Sequence, residues 1–173
     1  MKIFVLGDKV LRSQCEEVAV FDDNLKFFED KMFDTLENAD GIGLAAPQVG
    51  KLIRLFVVLI PSQNIKKTFV NPIITDYSKD TSPYNEGCLS IPGLEHEVIR
   101  PNSVTVYAQD INGKPFHLTA DGLFARVIQH EYDHLNGKLY IDHLDDEEKK
   151  KMISSFKRNF KSNNNKKKKN SNV

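Results

Sequence analysis

Residues 121–136, Asp-Gly-Leu-Phe-Ala-Arg-Val-Ile-Gln-His-Glu-Tyr-Asp-His-Leu-Asn, constrain the fold more than any other part of the chain. The spacing predicts a helix, with Leu123, Val127, His130 and His134 on one face and Phe124, Ile128 and Leu135 on the adjacent one. A helix apolar over so much of its circumference is buried, so the rest of the chain must wrap around it. Histidines four apart project from one face a turn apart, and both can reach a single metal ion. Glu131 follows the first, near enough to face a water on that ion without ligating it. Two core histidines that happen to be four apart are the plainer reading, but buried imidazoles without partners are costly.

The segments around this helix read as a mixture of helix and strand. Residues 22–39 carry Leu25, Phe28, Met32 and Leu36 on one helical face, with Asp22 or Asp23 available as a cap. Gly41 to Gly50 has three glycines and a proline in ten residues, with no regular period, and reads as a shaped loop. Leu52 to Ile60 and Thr68 to Thr75 read as strands. Ser103 to Asp110 alternates apolar and polar residues, and Asn112-Gly113 turns it into a hairpin with Pro115 to Leu118. A charged third helix is expected over 145–161, followed by a lysine- and asparagine-rich tail over 162–173 too polar to pack. The expected class is α+β: small antiparallel sheets around one central buried helix, plus a C-terminal helix, in one domain spanning 1–144.

Charge separates the tail from the body. Ten basic and no acidic residues follow Glu148, whereas all 24 acidic residues lie before Lys149. No apolar run approaches the roughly 20 residues that span a bilayer, and the N-terminus enters Ile3-Phe4-Val5-Leu6 without a signal pattern, so a cytoplasmic location is expected.

A catalytic ion on His130 and His134 needs a third protein ligand and an open position. His143 lies past the helix end and reads as a surface residue. Upstream, Glu86-Gly87-Cys88-Leu89-Ser90 places a cysteine in a glycine-containing turn, where a thiolate can face a metal while the next N–H stays free. A lone cysteine is more often a small buried hydrophobe, and that is the expectation for Cys15.

Gly41-Ile42-Gly43-Leu44-Ala45-Ala46-Pro47-Gln48, Glu86-Gly87-Cys88-Leu89-Ser90 and Gln129-His130-Glu131-Tyr132-Asp133-His134-Leu135 together resemble the three signature segments of the peptide deformylase family, in the family's order. The resemblance covers residues 1–144 and leaves the basic tail outside. It implies a hydrolase of protein biosynthesis that removes the formyl group from the N-terminal methionine of nascent chains, giving formate and a free amine. It implies one divalent ion on Cys88, His130 and His134, usually Fe(II), with zinc, nickel or cobalt as substitutes. Glu131 becomes the general base and then acid. The Gln48 side-chain amide and the Leu89 N–H become the donors to the oxyanion. Ile42, Gly43, Leu123 and Val127 match positions near the methionine pocket, although such residues also serve as plain core. Arg100 is a candidate ion-pair partner for Glu86, and Asp133 has no partner that the sequence names.

Two other readings share the helix. A zinc endopeptidase would place its third ligand downstream, unlike Cys88. A structural zinc needs four protein ligands, and no motif supports Cys15, His96, His117 or His143 as the fourth. For the tail, contact with ribosomal phosphates is one expectation and a merely solvated end the other.

Overall fold

In the computed structural model Asp22 accepts a hydrogen bond from the Leu25 N–H at 2.9 Å and starts α1 (Asp23–Asn38). Seven strands follow: β1 (Gly43–Ala45), β2 (Leu55–Ile60), β3 (Ile65–Tyr77), β4 (Thr81–Gly87), β5 (Glu95–Pro101), β6 (Ser103–Gln109) and β7 (Pro115–Asp121). Then come α2 (Gly122–Leu135) and α3 (Asp146–Asn170). The structure describes residues 1–170, with side chains as far as residue 160. The expectation of an unpacked tail over 162–173 lies outside the described side chains, and for 171–173 outside the described residues altogether.

β1-β2-β3-β6-β7 form one antiparallel sheet, and β4-β5 a separate hairpin. The run Leu55 to Ile60 is apolar at every position because both faces of β2 are covered. Leu55 and Val57 pack towards α1 beside Met32 and Leu36, while Phe56, Val58 and Ile60 pack towards α2 beside Val127 and Ile128. Phe56 and Phe69 stack across β2 and β3 with ring centroids 4.7 Å apart. The helix 122–135 is thus walled by the sheet on one side and by the β4-β5 hairpin on another. A third cluster joins Leu11, Ile91, Val98, Tyr140, Met152 and Phe156, and so ties α3 to the body. Cys15 packs in the sheet–α2 cluster, where burial pushes its thiol up to about 11.

The hairpin at Asn112-Gly113 forms as expected, with Gly113 at φ 80° and the Asp110 N–H bonded to Lys114 O at 2.9 Å. Several boundaries differ from expectation: β7 runs to Asp121 rather than Leu118, and the backbone of α3 stays helical to Asn170, past the expected end at 161. β2 begins at Leu55 rather than Leu52, because Ile53 makes only an isolated bridge to Glu16. β3 runs from Ile65 to Tyr77, past its apolar stretch, because bulges keep it paired with β6. The loop 41–50 contributes a short edge strand, β1. Nothing in the periodicity pointed to β4 and β5. Their inward positions include Glu86 and Arg100, so the alternation that marks a half-buried strand is written there in charge.

Candidate metal centre

His130 and His134 lie one turn apart on α2 with ring centroids 5.0 Å apart. Cys88 follows the end of β4 in a tight turn, closed by the Ile91 N–H on the Cys88 carbonyl at 2.8 Å. That turn brings Sγ to 3.3 Å from His134 Nε2. One donor atom from each of Cys88, His130 and His134 lies within 4.8 Å of the others, the spacing of ligands around a common ion. The protons of this cluster fit the same purpose. Burial disfavours a thiolate, yet the charges and hydrogen bonds of His134 and His130 outweigh it and hold Cys88 well below the ordinary thiol range. Burial likewise opposes a charged His130, but Cys88 and Glu86 win and raise it. A thiolate paired with imidazolium is a site that takes a divalent cation in exchange for protons.

The histidines are held from behind. Glu86 Oε2 sits 3.0 Å from His130 Nδ1, which leaves Nε2 to face the cluster. Glu86 is only 4% exposed and is gripped by Arg100 at 2.7 and 3.0 Å and by Arg126 at 3.1 Å. Burial alone would raise this carboxyl, but His130 and Arg100 bring it down to about 2. Arg100 also bonds Asp133 at 2.7 Å, and Asp133 meets His143 Nε2 at 2.7 Å. His143 is therefore a partly exposed partner of Asp133, away from the ligand set. The Arg100–Glu86 pair was expected. Arg126 was not, although an arginine four residues before His130 in a buried helix is itself a sign of an anion beside it.

Glu131 is buried beside the ligands. Desolvation pushes its carboxyl up to about 7 against the pull of His130 and His134, and its Oε2 has no hydrogen-bond partner among the described residues. Gln48 is 1% exposed, in a short turn after β1. Its Oε1 accepts from the Ala45 N–H at 2.8 Å, while Nε2 points to Ser90 Oγ at 3.1 Å and to Cys88 Sγ at 3.6 Å. The Leu89 N–H meets no protein acceptor among the described residues. A cleft of about 540 Å³ opens onto this group, lined by every expected site residue except His134, which lies behind the others at 1% exposure. Ile42, Gly43, Leu123 and Val127 form part of its wall.

The chain has counterparts among known proteins. The family model of polypeptide deformylase matches residues 1–150. A peptide deformylase of Treponema pallidum is 46% identical over 146 residues, 84% of this chain and 89% of that one. One of Brucella suis is 49% identical over 145 residues, covering 82% and 83%. Among solved structures, a peptide deformylase from Legionella pneumophila superposes with a TM-score of 0.89 at 39% identity, over 94% of this chain and 96% of that chain. The match runs through all of the segments that build the cleft, and the chain belongs to the polypeptide deformylase family.

Proposed function

We propose that this chain hydrolyses the formamide at the N-terminal methionine of newly made polypeptides, releasing formate. The observation that carries this reading is the meeting of Cys88, His130 and His134 with a buried Glu131 carboxylate oxygen that has no partner among the described residues, at the back of one cleft. Cys88, His130 and His134 would hold a divalent ion, which would supply Lewis acidity to the reaction. The chain's own groups do the rest. Glu131 accepts the water proton as its oxygen adds to the formyl carbon, and returns it to nitrogen as the C–N bond breaks. A carboxyl brought near 7 by burial can serve in both directions. The second Gln48 amide hydrogen and the Leu89 N–H donate to the oxygen as it gains charge. Ile42, Gly43, Leu123 and Val127 seat the methionine side chain, whose only demand is apolar contact.

Fe(II) is the ion we assign, with zinc, nickel or cobalt able to substitute, because a thiolate with two imidazoles suits all of them. No helix among the described residues is long and apolar enough to cross a membrane, and we place the enzyme in the cytoplasm beside the ribosome. There the basic residues beyond Lys149 would meet RNA phosphates. The test is anaerobic preparation, measurement of bound metal, and assay on formyl-Met-Ala-Ser. One metal per chain with formate release supports the reading. A metal-replete sample that cuts internal peptide bonds and yields no formate overturns it.

A further inference from the structure

Ser90 has no part in the reaction as just described, yet it is placed as though it had one. It is 0% exposed, at the back of the cleft wall. Its N–H points to Cys88 Sγ at 3.4 Å, and its carbonyl is pinned by the Leu6 N–H at 2.8 Å. Its hydroxyl oxygen accepts from Gln48 Nε2 at 3.1 Å. A hydroxyl buried this fully costs free energy unless its hydrogen bond is useful, and alanine would fill nearly the same space.

The use follows from the geometry of a primary amide, which has one oxygen and two N–H donors and can be turned end for end at little steric cost. Here the Ala45 N–H takes the oxygen at 2.8 Å, which fixes the NH2 group on the cleft side. The group can still twist about its last single bond. Ser90 Oγ holds one of the two hydrogens. Among the described residues the other has only the Cys88 sulfur, 3.6 Å from Nε2, as an acceptor. Sulfur is a softer acceptor than oxygen and this contact is the longer of the two, so the donor is held in place without being spent on a close oxygen partner.

We propose that Ser90 is a positioning residue for deformylation, its hydroxyl oxygen anchoring one Gln48 amide hydrogen so that the other stays aimed at the oxygen of the carbonyl under attack. This rests on the deformylase reading. Ser90 acts through Gln48, so its removal loosens a donor that matters most when the oxygen is charged.

The test is a double-mutant cycle on metal-loaded full-length protein, with formate release from formyl-Met-Ala-Ser as the readout. Ser90→Ala should lower kcat by roughly 10-fold, the scale of one hydrogen bond, with KM within about 2-fold and metal content unchanged. In a Gln48→Ala background the same change should cost less than about 2-fold, since nothing is left to aim. Ser90→Cys, nearly the same shape but a poor acceptor, should behave like Ser90→Ala and decides the matter if the alanine variant folds badly. Equal losses in both backgrounds, or a kcat near the parent value in the cysteine and alanine variants, overturns the assignment. A parent protein that releases no formate overturns the deformylase reading first, and Ser90's role with it.

Discussion

Oε1 of Glu131 lies against the α-carbon of Gly43. A β-carbon at position 43 would fall inside the carboxylate's van der Waals shell and come within 2.8 Å of Val127 Cγ1. The glycine is thus required by close approach, and it sets how near the β1 edge can come to the helix that carries the histidines. Gly43→Ala should push the Glu131 carboxylate out of place while leaving the ligands untouched. A displacement of about 1 Å at a reacting group costs on the order of 10²-fold in rate. Metal analysis beside kcat tests this: normal metal with kcat down by that order is expected, and unimpaired turnover would mean that Glu131 is not held where the structure puts it.

Glu131→Gln keeps the shape of the side chain and removes its ability to accept a proton. Metal should be retained and kcat should fall by at least roughly 10²-fold. Turnover close to the parent's would require another base, and among the described residues no other carboxylate reaches the ligands except Glu86, whose oxygens Arg100, Arg126 and His130 already occupy.

Much of this site could be read before the fold was known, and the limits of that reading are physical. The stripe Leu123, Val127, His130, His134 announced a buried helix because a 3.6-residue period survives any tertiary context. Cys88 was harder, since a cysteine in a turn has no period, and it was reached through the resemblance of three segments. Strands β4 and β5 were missed because Glu86 and Arg100 take inward positions that pattern reading reserves for apolar residues. Arg126 and Ser90 were missed for a related reason. Each is explained only by a partner more than 35 residues away, and one chain records no such pairing.

The Glu86 cluster gives a stability prediction. Glu86→Ala leaves the Arg100 and Arg126 guanidinium groups buried near each other with their shared anion gone. Stranded buried charge costs about 3–5 kcal/mol, so the urea midpoint should fall in both Glu86→Ala and Glu86→Gln, and less in Glu86→Gln, which loses the charge but keeps the volume and one acceptor oxygen. Loss of the support behind His130 should also weaken metal affinity in Glu86→Gln by roughly 10- to 100-fold. Titration with a competing chelator measures this, and unchanged affinity would free His130 from dependence on Glu86.

Cys88→Ser exchanges a soft thiolate for a neutral hydroxyl and should lose most bound metal, and activity with it. Elemental analysis decides, and full occupancy in that variant would remove Cys88 from the ligand set. The fold should survive, because the sheet–α2 and α1 clusters are built without the ligands.

Asp142 offers a pH dependence that is independent of the metal. Burial works to raise its carboxyl, but hydrogen bonds from Arg12, the Leu139 N–H and Lys149 hold it at about 2, down from 3.8. Because the folded value is the lower one, the stabilisation is fully present above about pH 4 and is lost as pH falls towards 2. Asp142→Asn should therefore unfold at lower urea than the parent at neutral pH, and the gap should close between about pH 4 and 2. A gap that stays constant across that range would show that the carboxylate charge contributes nothing.

The same corner of the molecule decides how the tail must be tested. α3 is charged along most of its described length, yet Met152 and Phe156 are 8% and 5% exposed and pack in the cluster with Leu11, Ile91 and Tyr140. Lys149 is also tied to Asp142 at 2.6 Å, so the start of the helix belongs to the body. Truncation after Glu148 would expose the core beneath Met152 and Phe156, at about 1.5–3 kcal/mol for each side chain. That variant should melt early, and lowered turnover in it would say nothing about docking. Truncation after Phe160 keeps both anchors and removes Lys161 and the run Lys166 to Lys169. It should leave the melting temperature and formate release from formyl-Met-Ala-Ser unchanged. If the basic end contacts ribosomal phosphates, pelleting with ribosomes should weaken in the shorter chain, and the slope of binding against salt should flatten with the lost lysines. Equal pelleting by the two chains across the salt range would leave the end of this protein as a solvated segment, and would place any ribosome contact on the body instead.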